Sequence, residues 1–195
     1  REKIVASSNT SFSEVWWFYP SADSEVNNRY VVYNYQQQIW YYGTLSRSFW
    51  MDRGIFDQPI AAGPNNYLYS QETGFDDDGA AFTAYIESSQ IDIGDGDKFA
   101  FIKRMIPDVT FRGSTAASPS ANFTIKTRNF PGGNYLQSTE KQVTKTASVP
   151  VEQFTGQVYT RVRGRQISIK VESDGLGTTW QLGAPRIDIR PDGRR

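Results

Sequence analysis

The feature that most limits the fold of this chain is a series of short segments rich in Val, Ile, Thr, Tyr, Phe and Trp, separated by Gly, Pro, Asn and Asp. Such segments favour strands, because branched and aromatic side chains pack well on a pleated sheet. Helical periodicity is nearly absent, and the 195 residues include only five Leu. The sequence therefore predicts an all-β protein.

The first part of the chain, residues 1–74, is predicted to be the end of a β-propeller: one blade and the start of another. Aromatic strands form a meander, followed by a strand of small residues and a further aromatic strand. Inner strands of a blade crowd around the central channel and favour small residues, whereas outer strands are free to broaden. The predicted strands lie at residues 14–19, 29–35, 39–45, 59–63 and 67–70.

A single blade cannot bury both of its faces, because each blade of a propeller packs against its neighbours. We therefore expect the remaining blades to come from sequence upstream of Arg1 or from another chain, and we favour the first source. The chain enters strand-like sequence within about ten residues of Arg1, which favours an internal start.

The second part, residues 75–195, is predicted to be an antiparallel β-sandwich. Its strands are longer, and turns rich in Gly, Asp and Asn at residues 94–97, 131–134 and 174–177 favour hairpins. The acidic, Gly-containing stretch at 73–81 is the predicted boundary. The predicted strands span residues 83–93, 98–111, 122–128, 141–149, 157–163, 166–172 and 179–189.

The sequence contains no His and no Cys. Their absence excludes a Ser-His-Asp triad, a thiolate nucleophile, a disulfide framework and a Cys-ligated metal. Carboxylate, Lys or Tyr chemistry, oxygen-ligated ions and binding remain as candidate functions. No segment approaches the roughly 18 consecutive apolar residues that a membrane-spanning helix needs.

Charge is distributed unevenly along the chain although the formal net charge is zero. Residues 1–97 contain 14 acids and 5 bases, a net charge of −9, and residues 98–195 contain 7 acids and 16 bases, a net charge of +9. This asymmetry suits stacking against copies or neighbours, or a basic face for a polyanion. Two solvated faces without a partner would give the same counts.

The densest basic feature is residues 161–165, in which strand alternation places Arg161 and Arg163 on one face. Gly164 is a candidate bulge that would turn Arg165 in another direction. Such a face could hold phosphates or dock on an acidic neighbour, and the sequence does not decide between them. The candidate polyanion or subunit contacts are Arg161, Arg163, Arg165, Lys170, Arg186 and Arg190, and Arg194 and Arg195 extend the charge.

Two weaker interpretations involve carboxylates. Asp92, Asp95 and Asp97, separated by Gly94 and Gly96, resemble an oxygen-ligand loop for calcium, to which Asp residues at 76–78 could contribute. The terminal Glu of a full calcium loop is missing, and a hairpin turn has the same composition. We therefore predict no cofactor and keep calcium as the lesser alternative.

The second carboxylate interpretation is a glycosidase acid pair. The candidates are Glu14, Glu87, Glu152 and Glu172, and nothing in the sequence places two of them at a working separation. Aromatic side chains could stack on sugar rings, but their alternation favours a role in the core and in packing between blades. These aromatic residues are Trp16, Trp17, Trp40, Tyr41 and Tyr42.

Several of these segments resemble one family. The runs are FSEVWWFYP at 12–20, RYVVYNY at 29–35, WYYGTL at 40–45, RVRGRQ at 161–166, WQLG at 180–183 and RIDIRPDGRR at 186–195. They are similar to the last blade and the C-terminal end of the tail hub, stopper or nozzle proteins of short-tailed bacteriophages, also described as packaged-DNA stabilisation proteins. Relatives in that family are much longer, with the rest of the propeller upstream.

The resemblance implies a structural virion protein of a phage tail or head-to-tail connector, assembled in the host cytoplasm. Several copies would form a ring around the axial DNA channel and help to retain packaged DNA. The expected partners are other copies, neighbouring portal, adaptor or tail proteins, and DNA in the channel. The family brings no catalytic residues, so we expect a protein that is not an enzyme.

Two alternatives stay open at this point. One is a carbohydrate-binding or carbohydrate-cleaving phage receptor-binding protein, which would use the aromatic residues or the Glu candidates. The other is an adhesion protein stabilised by calcium.

Overall fold

The structure, a computed structural model, describes residues 3–133 and 146–193. The chain divides into two compact units, unit 1 (residues 1–74) and unit 2 (residues 75–195). These ranges coincide with those of the two predicted domains. The described secondary structure consists of antiparallel strands and one short 3-10 helix, so the prediction of an all-β protein is confirmed.

Unit 1 contains two antiparallel sheets, ordered β1-β2-β3-β4 and β5-β6-β7. Each sheet is a meander in which every strand pairs with the next one along the chain. The strands are β1 (Val5–Asn9), β2 (Glu14–Tyr19), β3 (Arg29–Asn34), β4 (Ile39–Thr44), β5 (Phe49–Met51), β6 (Ile60–Ala62) and β7 (Leu68–Ser70), and the 3-10 helix (Thr10–Phe12) lies between β1 and β2.

The core of unit 1 lies between its two sheets. In β2, buried and half-buried residues alternate, so that Trp16 and Phe18 face the second sheet. Trp50 and Ala61 from the second sheet and Val32 from β3 complete the buried cluster. Burial of each large apolar side chain contributes about 1.5–3 kcal/mol, which makes this layer the main source of stability in unit 1.

Two strands of unit 1 were not predicted. The segment that forms β1 is mostly small and polar, and β5 lies in a region interpreted as a connection. β1 extends the predicted three-stranded meander to four strands by pairing along β2 from Val5 opposite Phe18 to Asn9 opposite Glu14. Strand formation in β1 depends on this partner more than on its own propensity.

Unit 2 contains a larger sheet ordered β13-β12-β15-β8, in which β9 also pairs with β15, a sheet ordered β14-β10-β17, and a two-stranded sheet of β11 and β16. Its strands are β8 (Ala84–Glu87), β9 (Ile91–Asp92), β10 (Ala100–Ile106), β11 (Val109–Thr110), β12 (Ser120–Arg128), β13 (Thr146–Glu152), β14 (Val158–Gly164), β15 (Gln166–Ser173), β16 (Gln181–Leu182) and β17 (Arg186–Pro191).

The core of unit 2 draws on both of its main sheets. Ile102 and Val162 from the sheet of β10 and β14 belong to the same buried cluster as Phe123, Ile125 and Val171 from β12 and β15. Each of these side chains is at most 1% exposed. One apolar layer between two sheets therefore holds unit 2 together.

Three of the strands predicted in unit 2 are each divided in two. The predicted strand at 98–111 ends as β10 before Pro107, which has no N–H for the ladder, and resumes as β11 in another sheet. The strands predicted at 83–93 and 179–189 are divided into β8 and β9 and into β16 and β17. The first five residues of the strand predicted at 141–149, and the last residue of the turn predicted at 131–134, lie outside the described residues.

Candidate functional site

The outer face of the sheet β14-β10-β17 carries most of the basic residues that the sequence singled out. Along β14, exposed or half-buried residues alternate with buried ones, so that Arg161 and Arg163 lie on the outer face. Val162, between them, is 1% exposed and belongs to the core of unit 2. The strand period therefore places two guanidinium groups side by side on the surface.

A β-bulge in β10 brings two more cations to the same face. Ile102 and Met105 are both buried in the core, although three positions separate them. The register of β10 against both neighbouring strands shifts between Ile102 and Arg104. Against β17 the extra residue lies in β10, and Arg104 comes to lie opposite Tyr159 of β14 and Asp188 of β17. Arg104 is therefore on the outer side beside the exposed Lys103, where regular alternation would have sent the two to opposite faces.

The third strand of this sheet, β17, adds Arg186 and Arg190, which are both exposed. Asp188 lies between them, pairs in register with Arg104, and has its Oδ2 3.6 Å from the Arg104 guanidinium. Across the sheet, Phe101 of β10 lies opposite Arg163 on one side and Arg190 on the other. Cations and aromatic rings are thus interleaved on one surface.

One aromatic ring organises the end of this surface. Phe99 is 9% exposed, and the guanidinium carbons of Arg163 and Arg165 lie 4.0 and 4.7 Å from its ring centroid. Arg163 also forms an ion pair with Asp192 and donates a hydrogen bond of 3.3 Å to the Asp192 carbonyl oxygen. These contacts hold the Arg163 guanidinium in a defined orientation.

We call this surface the basic face, and it contains six cations and two carboxylates, a net charge of +4. Two of the cations, Lys103 and Arg104, were not among the predicted contacts, because the sequence did not reveal the bulge that turns Arg104 to the same side as Lys103. The members of the basic face are Lys103, Arg104, Arg161, Arg163, Arg186, Arg190, Asp188 and Asp192.

The structure does not bring all of the predicted contact residues to the basic face. Lys170 lies on β15 in the other main sheet, where it forms an ion pair with Glu172 and approaches the Tyr85 ring at 5.1 Å. Arg165 follows β14 at the passage between the two sheets and contacts the edge of the face through Phe99. Arg194 and Arg195 lie outside the described residues.

Gly164 lies at this passage, with its neighbours closely packed around it. A Cβ placed on Gly164 would lie 2.6 Å from Thr127 Cβ and 3.0 Å from the carbonyl oxygen of Arg128. That carbonyl accepts a hydrogen bond of 2.8 Å from the backbone N–H of Arg165. The glycine permits the chain to leave β14 and start β15 within two residues.

The Asp-rich segment proposed for calcium forms turns and side-chain hydrogen bonds. The side-chain amide of Gln166 donates a hydrogen bond of 2.6 Å to Asp92, and Gly94 and Gly96 have φ values of 70° and 77°, as tight turns require. Within residues 3–133 and 146–193, no group of three or more carboxylates is placed to hold a metal ion. Calcium at Asp92, Asp95 and Asp97 stays the lesser alternative to the prediction of no cofactor.

The Glu residues considered as a glycosidase pair have different environments. Glu87 forms an ion pair of 2.7 Å with Lys126, and Glu172 forms one with Lys170. Glu152 is exposed at the end of β13, and Glu14 belongs to unit 1. Both carboxylates are thus paired with a lysine: Glu172 with a residue two positions away on its own strand, β15, and Glu87 of β8 with Lys126 of β12, across the strand between them.

In unit 1, the carboxylate of Glu14 interacts electrostatically with that of a second acidic residue, Glu72. The Glu14 carboxylate accepts hydrogen bonds from the Trp16 indole, at 2.9 Å, and from the Tyr41 hydroxyl. The side-chain amide of Asn9, which is fully buried, donates a hydrogen bond of 3.1 Å to Glu72. We call Asn9, Glu14, Tyr30, Tyr41 and Glu72 the acid cluster.

The acid cluster alters the protonation of its members. Partial burial raises the pKa of Glu72, and the charge of Glu14 raises it further, while the hydrogen bond from Asn9 opposes both effects. Burial also raises the pKa of Tyr41, and the hydrogen bond that Tyr41 donates to Glu14 raises it further. Burial and the charges of Glu14 and Glu72 raise the pKa of Tyr30. Sequence reasoning did not single out Glu72, since its contact with Asn9 depends on the packing of β1 near the end of unit 1.

The side of the four-stranded sheet that faces away from the core of unit 1 is aromatic. Trp40 and Tyr42 of β4 are 62% and 77% exposed, and the Trp40 ring stacks on Trp17 at 5.8 Å and lies 4.6 Å from the Tyr33 ring. We call this surface the first outer face. Large aromatic surfaces of this kind on soluble domains commonly mark contacts.

The three-stranded sheet of unit 1 is apolar on its outer side as well. Phe49 and Leu68 are 50% and 72% exposed, and both lie in register with Ala62 of the central strand. Met51 lies two residues beyond Phe49 on the same side, while Trp50 between them points into the core. We call this surface the second outer face. Unit 1 is therefore a two-sheet stack with apolar residues on both outer sides.

No protein-family model matches the sequence, and no curated protein matches it. In the part of the chain that the structure describes, no helix is long and apolar enough to cross a membrane.

Proposed function

We propose that this protein is a structural component of a bacteriophage tail or head-to-tail connector, with several copies in a ring around the DNA channel that help to retain packaged DNA. The proposal assigns it no catalytic step. The observation that carries it is the two-sheet stack of unit 1, whose outer faces on both sides are apolar and exposed. Such a stack suits a protein that functions by packing among similar sheets.

The contact between the two sheets supports the interpretation of unit 1 as consecutive propeller blades. Asp52, directly after β5, accepts hydrogen bonds from the Ser8 hydroxyl at 2.8 Å and from the Thr10 backbone N–H. The Trp50 indole donates to the Ser8 carbonyl oxygen at 3.1 Å. The first strands of the two meanders are thus neighbours, as the innermost strands of adjacent blades are in a propeller.

The two exposed apolar faces indicate that further sheets pack on both sides of the stack. Covering apolar surface gains about 25 cal/mol per Å², so the first and second outer faces both favour the addition of further sheets. A repeated sheet can cover both, because one side of each blade packs on the opposite side of the next. We assign these positions to further sheets of the same kind.

Unit 2 fits the proposal as a β-sandwich attached to the propeller. Its two main sheets share one core, and its basic face lies on the outside of the smaller sheet. In a ring around DNA, this face would provide positive charge for the polyanion or for an acidic neighbour.

The test is incorporation into particles of the phage that encodes the protein. We expect mass spectrometry of purified particles to detect the wild-type protein in a fixed ratio to the capsid protein. A double variant, Trp40→Ser with Tyr42→Ser, should be incorporated at a much lower level and yield particles that lose DNA. Since both side chains are mostly exposed, the variant should keep its fold.

A matched control replaces two exposed apolar residues of unit 2, which belong to neither outer face: Phe154→Ser with Leu176→Ser, 92% and 54% exposed. The control should be incorporated normally. Absence of the wild-type protein from purified particles would contradict the structural role. Equal incorporation of the Trp40 and Tyr42 variant would contradict the role of the first outer face.

A further inference from the structure

We propose that the basic face binds nucleic acid without sequence preference, holding the phosphodiester backbone with its arginines and stacking bases of single strands on its aromatic rings. This inference deepens the proposed function and rests on it for the source of the nucleic acid. The binding surface lies entirely in unit 2, so it is tested separately from the stacking of sheets in unit 1.

The cations of the basic face differ in how they are held. Arg163 and Arg104 are oriented by Asp192 and Asp188, which leaves their guanidinium groups positioned on the surface. Arg161, Arg186 and Arg190 are exposed and form no ion pair or hydrogen bond with any described residue. No group in the described part of the chain neutralises their charge, so it is available to an anion.

The spacing of these cations suits an extended polyanion. Neighbouring strands lie about 4.8 Å apart, and alternate residues on one strand lie about 6.7 Å apart, so three strands display a grid of positive charge. A duplex carries one negative charge for about every 1.7 Å of its axis, so a short segment can contact several cations at once. Each contact releases condensed counterions, which favours binding at low salt.

Aromatic rings on the same face favour nucleic acid over an acidic protein. Tyr159, next to Arg161 in the outward row of β14, is 66% exposed, and Phe101 lies between Arg163 and Arg190 across the sheet. Every base has a flat face that stacks on such rings and on guanidinium planes, and this kind of contact tolerates any sequence. Carboxylates of an acidic protein would satisfy the arginines and leave the rings without a partner.

Binding is measured by fluorescence anisotropy with the full chain and labelled oligonucleotides of about 20 nucleotides, both single-stranded and duplex. The triple variant Arg161→Gln, Arg186→Gln, Arg190→Gln should bind single strands roughly tenfold or more weakly at low salt. The slope of log affinity against log salt should fall by about 2 in magnitude, since each phosphate contact contributes about 0.7. Its thermal unfolding should match that of the wild type.

The matched control removes the same charge elsewhere: Arg29→Gln, Arg53→Gln and Arg112→Gln, all at exposed positions and none of them a member of the basic face. It should bind as the wild type does. Tyr159→Ala tests stacking and should weaken single-strand binding by roughly tenfold while leaving duplex binding nearly unchanged.

Two results would overturn the inference. Equal binding by the two triple variants would show that net charge, not the basic face, holds the oligonucleotide. In the second, polyglutamate would displace the labelled oligonucleotide as strongly as the unlabelled single strand does at equal charge. That result would assign the face to an acidic protein. Neither result bears on the particle-incorporation experiment with the Trp40 and Tyr42 variant. Failure of nucleic-acid binding is therefore distinct from failure of the proposed function.

Discussion

The indole rings of Trp16 and Trp50 stack across the two sheets of unit 1, with centroids 5.1 Å apart and planes inclined by 13°. Trp16 comes from the four-stranded sheet and Trp50 from the three-stranded one, and both are less than 10% exposed. Phe18 stacks on Trp50 from the same side at 5.7 Å. The joint between the sheets therefore depends on one aromatic layer.

Replacement of Trp50 by alanine is expected to destabilise unit 1 by about 3–5 kcal/mol, because it removes a large buried ring and leaves a cavity. The variant also loses the indole hydrogen bond to the Ser8 carbonyl oxygen. Urea unfolding followed by tryptophan fluorescence and far-UV circular dichroism measures the loss. A change below about 1 kcal/mol would mean that the sheets do not depend on this layer.

Replacement of Gly164 by alanine is expected to destabilise unit 2 by about 1–3 kcal/mol, because the added methyl group would overlap Thr127 and the Arg128 carbonyl. Gly156→Ala is the matched control, since nothing lies within 4 Å of a Cβ at that position. The control should unfold within about 0.5 kcal/mol of the wild type. Equal unfolding midpoints for the two variants would contradict the close packing at Gly164.

The acid cluster predicts that unit 1 loses stability as pH rises through the folded pKa of Glu72. This pKa is raised, so the folded state binds the proton more tightly than the unfolded chain does. The resulting stability is fully present below the unfolded pKa of about 4.3 and is lost above the folded pKa. Glu72→Gln should remove this dependence and make unit 1 more stable than the wild type at pH 7.

The measurement is urea unfolding of the full chain at several pH values between 4 and 8, with Glu25→Gln as the control at an exposed position. The charge of Glu14 contributes to the raised pKa, so Glu14→Gln should also flatten the profile. That variant separately weakens hydrogen bonds from Trp16 and Tyr41 and lowers overall stability. Identical pH profiles for the wild type and Glu72→Gln would exclude coupling within the cluster.

Asp52 is expected to change the stability of unit 1 with pH in the direction opposite to that of Glu72. Its pKa is lowered: burial opposes the shift, but hydrogen bonds from Ser8, Thr10 and the Arg53 backbone outweigh it. Its contribution to stability is therefore present above the unfolded pKa of about 3.9 and lost as pH falls through the folded value. Asp52→Asn should reduce the loss of stability of unit 1 between pH 5 and pH 3, measured by the same unfolding experiment.

The hydrophobic pattern determined most of the strands. The aromatic segments of β2, β3 and β4 and the alternating segment of β14 have the period of two that a half-buried strand imposes, and each forms a strand within one or two residues of its predicted bounds. Their sequences carry enough apolar surface on one side to specify which side is buried. β1 lacks such a pattern, so the sequence did not predict it; it forms a strand because it pairs with β2.

The sequence by itself determined that the chain is all-β, where most strands lie, and that Arg161 and Arg163 share a strand face, because these properties follow from local periodicity. Tertiary structure alone decided that Glu72 joins Glu14, that Lys170 lies on a different sheet from the arginines, and that Lys103 and Arg104 both turn outward. Each of these depends on register between distant strands, on a bulge or on the packing of sheets, and local sequence does not encode those relationships.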